Sequence, residues 1–511
     1  MHDWTSGYVA DIGYTFGYYF ELNPLSMRLA FLYDGLLLPE IENACELGFG
    51  QGLSANFHAA GSATNWHGTD FNPAQAAFAR ELTREAGTST QLFDESFAEY
   101  CARTDLPDFD FIGLHGIWSW ISDDNRKILV DFVRRKLRVG GVLYTSYNTL
   151  PGWSTFASMR HLLTQHADII GAEGSGIVSR IDGALDFAIK FLATRPAYLN
   201  TNPVVETRLR KLLEQNRHYL AHEYFNKDWH PMHFASMVEW LKPAKVEYAC
   251  SAVKLEHLDR VNLSEAQQKF LLDIPDALMR QSVRDFMVNQ QFRKDYWVRG
   301  SRKLSALERH EALLAERIVL ASYREEIPLT VQVPTGEATL NPDVYNPILD
   351  ALADYKVTTI GELYTKVKDK KIELGQLHEA VMVLADGSRL LSAQDEKVIG
   401  RRKKYTDRLN CHLQKKARSG HEIAYLVSPV TGGGIGIGRI NQLFAEAAAA
   451  GRKQPAEWAQ YVWSLLESQG QRLKTDGKII ESKEDNLIEL TKQAKEFAHK
   501  RLPILRALQI A

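Results

Sequence analysis

The stretch Ala44-Cys45-Glu46-Leu47-Gly48-Phe49-Gly50-Gln51-Gly52 ends an apolar run with an acid and then sets three glycines at alternate positions. Glycines let a backbone turn tightly and approach a ligand closely, so this stretch predicts a nucleotide above the turn. A dinucleotide fingerprint would need its third glycine at the position of Leu53, and no Gly-Lys-Ser/Thr follows as in a phosphate loop. Glu46 is an unwelcome neighbour for a pyrophosphate but tolerable beside an ammonium and a sulfonium. The ligand that fits is S-adenosylmethionine. Asp70, followed by Phe71, comes at the ~20-residue interval where an acid accepts ribose hydroxyls. The next segment, Phe93-Asp94-Glu95-Ser96-Phe97, offers Asp94 to the adenine amino group and Phe93 or Phe97 to the ring. The expected cofactor set is Glu46, Gly48, Phe49, Gly50, Gly52, Asp70, Phe71, Asp94, Ser96, Phe97 and His115.

Methyl transfer from a sulfonium is an in-line displacement, so the acceptor must be held about 3 to 3.5 Å from the methyl carbon. A lysine acceptor must also lose a proton from a group of pKa about 10.4. Candidates for holding it are His115, Trp118 and Trp120, then Tyr147 and Asn148, with Tyr14, Tyr18 and Tyr19 from the N-terminus and His222 and Glu223 from further on. The expected catalytic set is His115, Trp118, Tyr147, Asn148, Tyr18 and Tyr19. Core packing is the ordinary role for Trp118 and Trp120. The slot Gly113-Leu114-His115-Gly116 lacks the Asn/Asp-Pro-Pro-aromatic pattern that grips a planar nitrogen, which is neutral toward an sp³ amine.

These residues need a scaffold that brings strand ends together. Between about residues 43 and 146, short apolar runs alternate with amphipathic stretches, the pattern of βα units in a parallel, doubly wound sheet. Strands are predicted at NACEL, NWHGTD, TQLF, FDFIGL and GVLYTS, and a helix over 73–86 with Asn72 as N-cap and Pro73 at its first position. A helical insert follows, over about 153–240, and a strand near 245–252 is placed to complete the sheet. The predicted division is a methyltransferase domain over 1–200, a helical regulatory domain over 201–325 and a C-terminal winged-helix-like α+β domain over 326–511, with short helices closed by a small hairpin before residue 393. A second glycine run, residues 432–438, has no acid-ended strand after it and is predicted to be a structural loop.

The composition narrows the functional classes. Across 511 residues, 61 Lys and Arg against 63 Asp and Glu leave a formal charge of -2, so no global field favours nucleic acid or an anionic membrane. Cys45, Cys101, Cys250 and Cys411 are far apart, without a CxxC pair, which argues against zinc and disulfides alike and suits a reducing cytoplasm. No export signal or membrane span is read. The basic run at 400–418, GRRKKYTDRLNCHLQKKAR, with Tyr405 its one aromatic, is read as a solvated or acidic-protein-binding face in preference to a nucleic-acid grip.

The stretches WTSGYVADIGYTFGYYFELNP, ELGFGQG, FDFIGLHGIWSWIS and SYNTLPGW together resemble bacterial class I methyltransferases with a methyltransferase regulatory domain, the group that includes the rickettsial outer-membrane-protein lysine methyltransferases. The resemblance implies a Rossmann-like catalytic domain, a regulatory region beginning near HYLAHEYFNKDWHPMHF, and N-methylation of protein lysines, the acceptor being a surface or outer-membrane protein before export. A homodimer is compatible with it. The alternatives kept open are O-methylation of a surface-glycan sugar or small molecule, and a winged-helix nucleic-acid binder with a vestigial methyltransferase fold.

Overall fold

A computed structural model describes residues 16–475 and 477–511. Tyr14, one of the acceptor-holding candidates, lies outside the described residues.

The centre is a seven-stranded sheet. Five parallel strands, β1 (Asn43–Leu47), β2 (Asn65–Thr69), β3 (Gln91–Phe93), β4 (Phe109–Leu114) and β5 (Leu137–Asn148), are joined far along the chain by β6 (Glu247–Ser251) and β7 (Phe292–Val298). The order across the sheet is β3-β2-β1-β4-β5-β7-β6, with β7 antiparallel to both neighbours. Strand β4 is buried along its whole length, as a parallel strand covered on both faces must be. The helix Pro73–Ala86 has the ends expected for it: the Asn72 side chain accepts from the Ala74 and Gln75 amides, and Gly87 closes the helix at φ +73°.

The reversal of strand order between β1 and β4 opens a crevice at their carboxyl ends, the usual ligand position of such sheets. The glycine turn follows β1, Asp70 follows β2, Glu95 follows β3 and His115 follows β4.

The predicted boundaries at 200 and 325 do not match the packing. Strand β6 stands where a strand near 245–252 was expected to complete the sheet, but β7, also inside the span assigned to the helical domain, inserts between it and β5. Hydrogen bonding across a sheet pairs strands whatever lies between them in sequence. What is separately packed is the insert between β5 and β6, where helices Ser154–Ile169, Gly176–Ala193, Val204–Leu213 and Arg217–Tyr224 share a small core of Phe156, Leu163, Ile181, Leu185, Leu209 and Tyr224.

The C-terminal span is two cores. In the first, β8 (Arg317–Leu320) is flanked by a hairpin of β9 (Thr330–Val333) and β10 (Gly336–Thr339), and by helices Pro342–Ala351, Ile360–Val367 and Leu374–Asp386 with the strands β11 (Thr358–Thr359) and β12 (Leu390–Ser392). The sheet order is β11-β8-β12. A winged helix would continue from its third helix into a hairpin wing. Here β12 pairs instead with β8 and runs straight on into the helix Glu396–Ala417, so the expected closing hairpin is not formed.

The second core joins that helix, the hairpin of β13 (Tyr425–Ser428) and β14 (Gly433–Gly436), and the last helices to Leu53, Phe57, Leu82 and Ala86 of the catalytic domain. The basic run is thus a docking helix within the chain. Arg402 donates to the Ala59 and Ala60 carbonyls, and Lys416 and His412 pair with Glu81 at 2.9 and 3.0 Å. Part of the charge read as a solvated face is consumed by the protein itself.

Candidate active site

The three glycines after β1 all have left-handed backbones, Gly48 at φ +78°, Gly50 at +57° and Gly52 at +68°. Two of them are pressed from outside the turn. A Cβ on Gly52 would meet the Ala79 methyl at 2.5 Å, and one on Gly48 would meet Ile117 at 2.3 Å. Gly50 is different: nothing lies within 4 Å of where its Cβ would be. Gly50 also lines a cavity of about 860 Å³, within the roughly 300–1,000 Å³ typical of ligand sites.

Gly48, Phe49 and Gly50 line this cavity, together with Asp70, Phe71, Ser96, Phe97, His115 and Tyr19. Asp70 accepts from the Gly50 amide at 2.8 Å and the Asn72 amide at 3.0 Å. Burial raises its carboxyl to about 6 against these two bonds. It ties the glycine turn to the end of β2 and keeps lone pairs for a ligand hydroxyl. Ser96 caps the helix Phe97–Ala102 in a reciprocal box with Glu99, which fixes the third wall.

Glu46 is not part of the lining. It lies beneath the turn, 2% exposed, with Oε2 lacking a hydrogen-bond partner, and burial reinforced by the charge of Asp70 pushes its carboxyl up to about 8. Gly52 likewise serves the turn from below, at the start of the helix Leu53–Gly61. A glycine turn that lines the cavity, with an acid beneath it that accepts from the Ala55 amide and keeps one oxygen unpartnered, fits the cationic amino-acid end of S-adenosylmethionine, and Asp70 fits its ribose.

His115 closes the cavity on the β4 side. Its Nδ1 shares a 2.8 Å hydrogen bond with the Tyr144 hydroxyl, and its ring stacks on Tyr19 with centroids 3.6 Å apart. Burial lowers its pKa to about 4, with Glu21 opposing and Lys294 adding to the shift. At neutral pH it is an uncharged imidazole. Behind it Glu21 pairs with Lys294; burial alone would raise the Glu21 carboxyl, but the ammonium brings it down to about 2.

Several expected site residues are elsewhere. Asp94 pairs with Arg80 at 2.6 Å on the surface, and that bond holds its carboxyl below the usual range. Its neighbour Glu95 lines the cavity instead, with Arg103 on Oε1 at 2.7 Å and Oε2 buried without a partner. Phe93 lies under the Arg103 guanidinium. Trp118 is core, donating to the Met232 sulfur and meeting Trp240 edge-on, whereas Trp120 reaches the cavity. Tyr147 is buried with its hydroxyl on Asp295 at 2.7 Å, and Asn148 accepts from the Trp153 indole at 3.0 Å. Strand β5 runs too far for either to stop at the cavity. Tyr18 alternates away from Tyr19 and packs, half-buried, against the C-terminal hairpin, with its hydroxyl 3.1 Å from His58 Nε2.

The remaining wall comes from the insert. His222, Glu223, Asn226, Lys227 and Asp228, at and after the end of the helix Arg217–Tyr224, face the same cavity as the glycine turn. His222 and Glu223 were among the acceptor-holding candidates, and both line the cavity. Nothing in the local pattern predicts that this helix folds back over the strand ends.

A family model described as a predicted methyltransferase regulatory domain matches residues 216–299, which contain this wall and the strands β6 and β7. The uncharacterized protein sll1526 of Synechocystis sp. is 40% identical over 514 residues, covering 99% of this chain and 100% of the relative. The uncharacterized protein RP789 of Rickettsia prowazekii is 26% identical over 282 residues, 53% of this chain and 49% of the relative. The structure of PKMT2 from Rickettsia typhi in complex with AdoHcy is similar over 97% of this chain and 99% of that one, with a TM-score of 0.70 at 15% identity. The shared fold is that of a class I methyltransferase with a helical regulatory insertion.

Proposed function

We propose that this chain, which belongs to the family of the full-length Synechocystis relative, is an S-adenosylmethionine-dependent methyltransferase that N-methylates lysine side chains of a protein. The observation that carries the reading is the cavity that opens over Gly50, with Asp70 bonded to the Gly50 amide on its wall. Gly48, Gly50, Asp70, Ser96 and Phe97 are the proposed cofactor residues, with Glu95 in the place first given to Asp94. When bound, the cofactor would supply a methyl group on a positive sulfur, a group open to the lone pair of an acceptor amine that has already given its proton to water. His115, Tyr19 and Trp120 hold the acceptor nitrogen in line and exclude water. A neutral histidine of pKa about 4 is a poor base toward an ammonium, so its proposed part is positioning.

The lysine acceptor is supported by the full-length likeness to PKMT2. A setting in a reducing cytoplasm is supported by four cysteines that form no disulfide, Cys411 being exposed. No helix among the described residues is long and apolar enough to cross a membrane.

The test is to incubate the protein with S-adenosylmethionine tritiated in the methyl group and a cell-envelope extract, with and without protease. Protein-borne label recovered as methyl-lysine is expected. Label confined to protease-resistant glycan or small molecules would overturn the protein acceptor, and calorimetric preference for NAD over S-adenosylhomocysteine would overturn the cofactor.

A further inference from the structure

Four carboxylates reach the cavity, and three are already engaged. Asp70 accepts two backbone amides, Glu95 takes Arg103, and Asp228 faces His230 at 3.3 Å. The fourth, Glu223, has no hydrogen bond or ion pair among the described residues, although Tyr219, His222 and Lys227 are close along the chain. A carboxylate drawn out of water is costly to keep ionised without a cation beside it. Burial accordingly raises this one to about 7.

Its position is built. Leu220, Ala221 and Tyr224 of the same helix are packed into the core of the insert, and Arg217 at the helix start donates to the carbonyls of Leu212, Leu213 and Gln215. Just beyond, the Asn226 amide donates to the His222 carbonyl at 2.6 Å. Glu223 is thus presented to the cavity from an element that carries none of the glycine turn, and it shares the cavity with Tyr19, His115, Trp120 and Ile121.

The geometry points to Glu223 as the counter-ion that receives the cationic side chain of the acceptor. This rests on the lysine reading above and deepens it: the insert, not the catalytic sheet, reads the charge of the substrate. An acceptor ammonium supplies the missing partner, and a ring-lined approach favours its aliphatic stem.

The experiment uses full-length protein saturated with S-adenosylhomocysteine and titrated with N-acetyl-lysine methylamide or its norleucine counterpart, which has the stem without the charge. Wild type is expected to prefer lysine at least about tenfold, as a charged hydrogen bond warrants. In Glu223→Gln the preference disappears while affinity for S-adenosylhomocysteine stays within about twofold, the sign of a folded cofactor pocket. Asp228→Asn, which leaves Glu223 in place, retains the preference. Retention of the preference in Glu223→Gln, its loss in Asp228→Asn, or a matching fall in cofactor affinity would each overturn the assignment. A wild type that binds S-adenosylhomocysteine but shows no preference for lysine would instead overturn the lysine reading itself.

Discussion

The chain contains two glycine-rich turns, at 48–52 and 432–438, and they meet opposite surroundings. In the first, Gly50 lines the cavity and nothing lies within 4 Å of where its Cβ would be. In the second, a Cβ on Gly433 would strike the Tyr18 hydroxyl at 2.2 Å and one on Gly434 would reach Phe57 at 2.8 Å. Gly432 is equally close-set, since a Cβ on Gly61 would meet its backbone at 2.7 Å. One turn is kept clear for a ligand, and the other lets the C-terminal hairpin lie flat on the catalytic domain. Glycine therefore marks a close approach, and the approaching partner is decided by the rest of the fold.

The sharpest way to break this contrast is to add a side chain to each turn. Gly50→Val puts a branched side chain on the cavity floor at a left-handed position. It is expected to reduce S-adenosylhomocysteine affinity by about a hundredfold or more, measured by calorimetry, in addition to a stability cost of about 1–2 kcal/mol. An affinity within a few-fold of wild type would mean that the cavity over Gly50 is not the cofactor site.

Asp70→Ala comes next, because it removes both a ligand acceptor and the bond that holds the Gly50 amide. A loss of about 1–3 kcal/mol in S-adenosylhomocysteine binding is expected, roughly fivefold to 150-fold. Asp94→Ala, on the surface beside Arg80, should change the same measurement by less than about twofold. Equal losses in the two variants would restore Asp94 to the site.

The second turn should respond in stability instead. Gly434→Val overpacks against Phe57 and Tyr18 and is expected to cost about 1–3 kcal/mol in denaturant unfolding, with cofactor affinity retained by the folded fraction. Loss of binding without loss of stability would show that the hairpin communicates with the cavity.

The smallest effect concerns pH. Glu46, under the first turn, keeps its proton to about pH 8 in the native state, whereas the unfolded carboxyl loses it near the ordinary value of 4.5. Between those values the native state binds the extra proton, so this group's contribution to stability falls as pH rises through the window and is flat above it. His58, next to the second turn, is held neutral by burial, with its pKa lowered to about 3, and acts in the opposite sense below pH 6.5. Glu46→Gln should therefore unfold with a midpoint that declines less between pH 5 and 8 than wild type, by a few degrees. An unchanged slope would mean that Glu46 is not buried as a neutral acid.

Legibility in the sequence followed the range of the forces involved. The five parallel strands, the helix 73–86 with its Asn72 cap and Pro73 start, and the glycine turn were readable because periodicity, caps and turn chemistry act over a few residues. Asp70 was readable because a strand end puts the following residue at a defined place on the sheet. Which of two adjacent acids faces inward after β3 was not, since Asp94 and Glu95 differ only by the side of the chain on which Arg80 and Arg103 wait. The same ambiguity separates Tyr19, stacked on His115, from Tyr18, packed against Gly433 and Gly434.

By itself, the sequence determined the elements, the class of nucleotide that the Gly48-Gly50-Gly52 turn admits, and the absence of a charge excess that would draw the chain to nucleic acid. Only the tertiary structure decided that the strand 292–298 enters the catalytic sheet between β5 and β6, that the basic helix 396–417 is spent on docking against the helices 53–61 and 73–86, and that of the acceptor-holding candidates Glu223 reaches the cavity beside the glycine turn while Tyr147 and Asn148 do not. Each of these depends on contacts between residues tens to hundreds of positions apart. Burial, unlike propensity or turn chemistry, is a property of the whole packed chain.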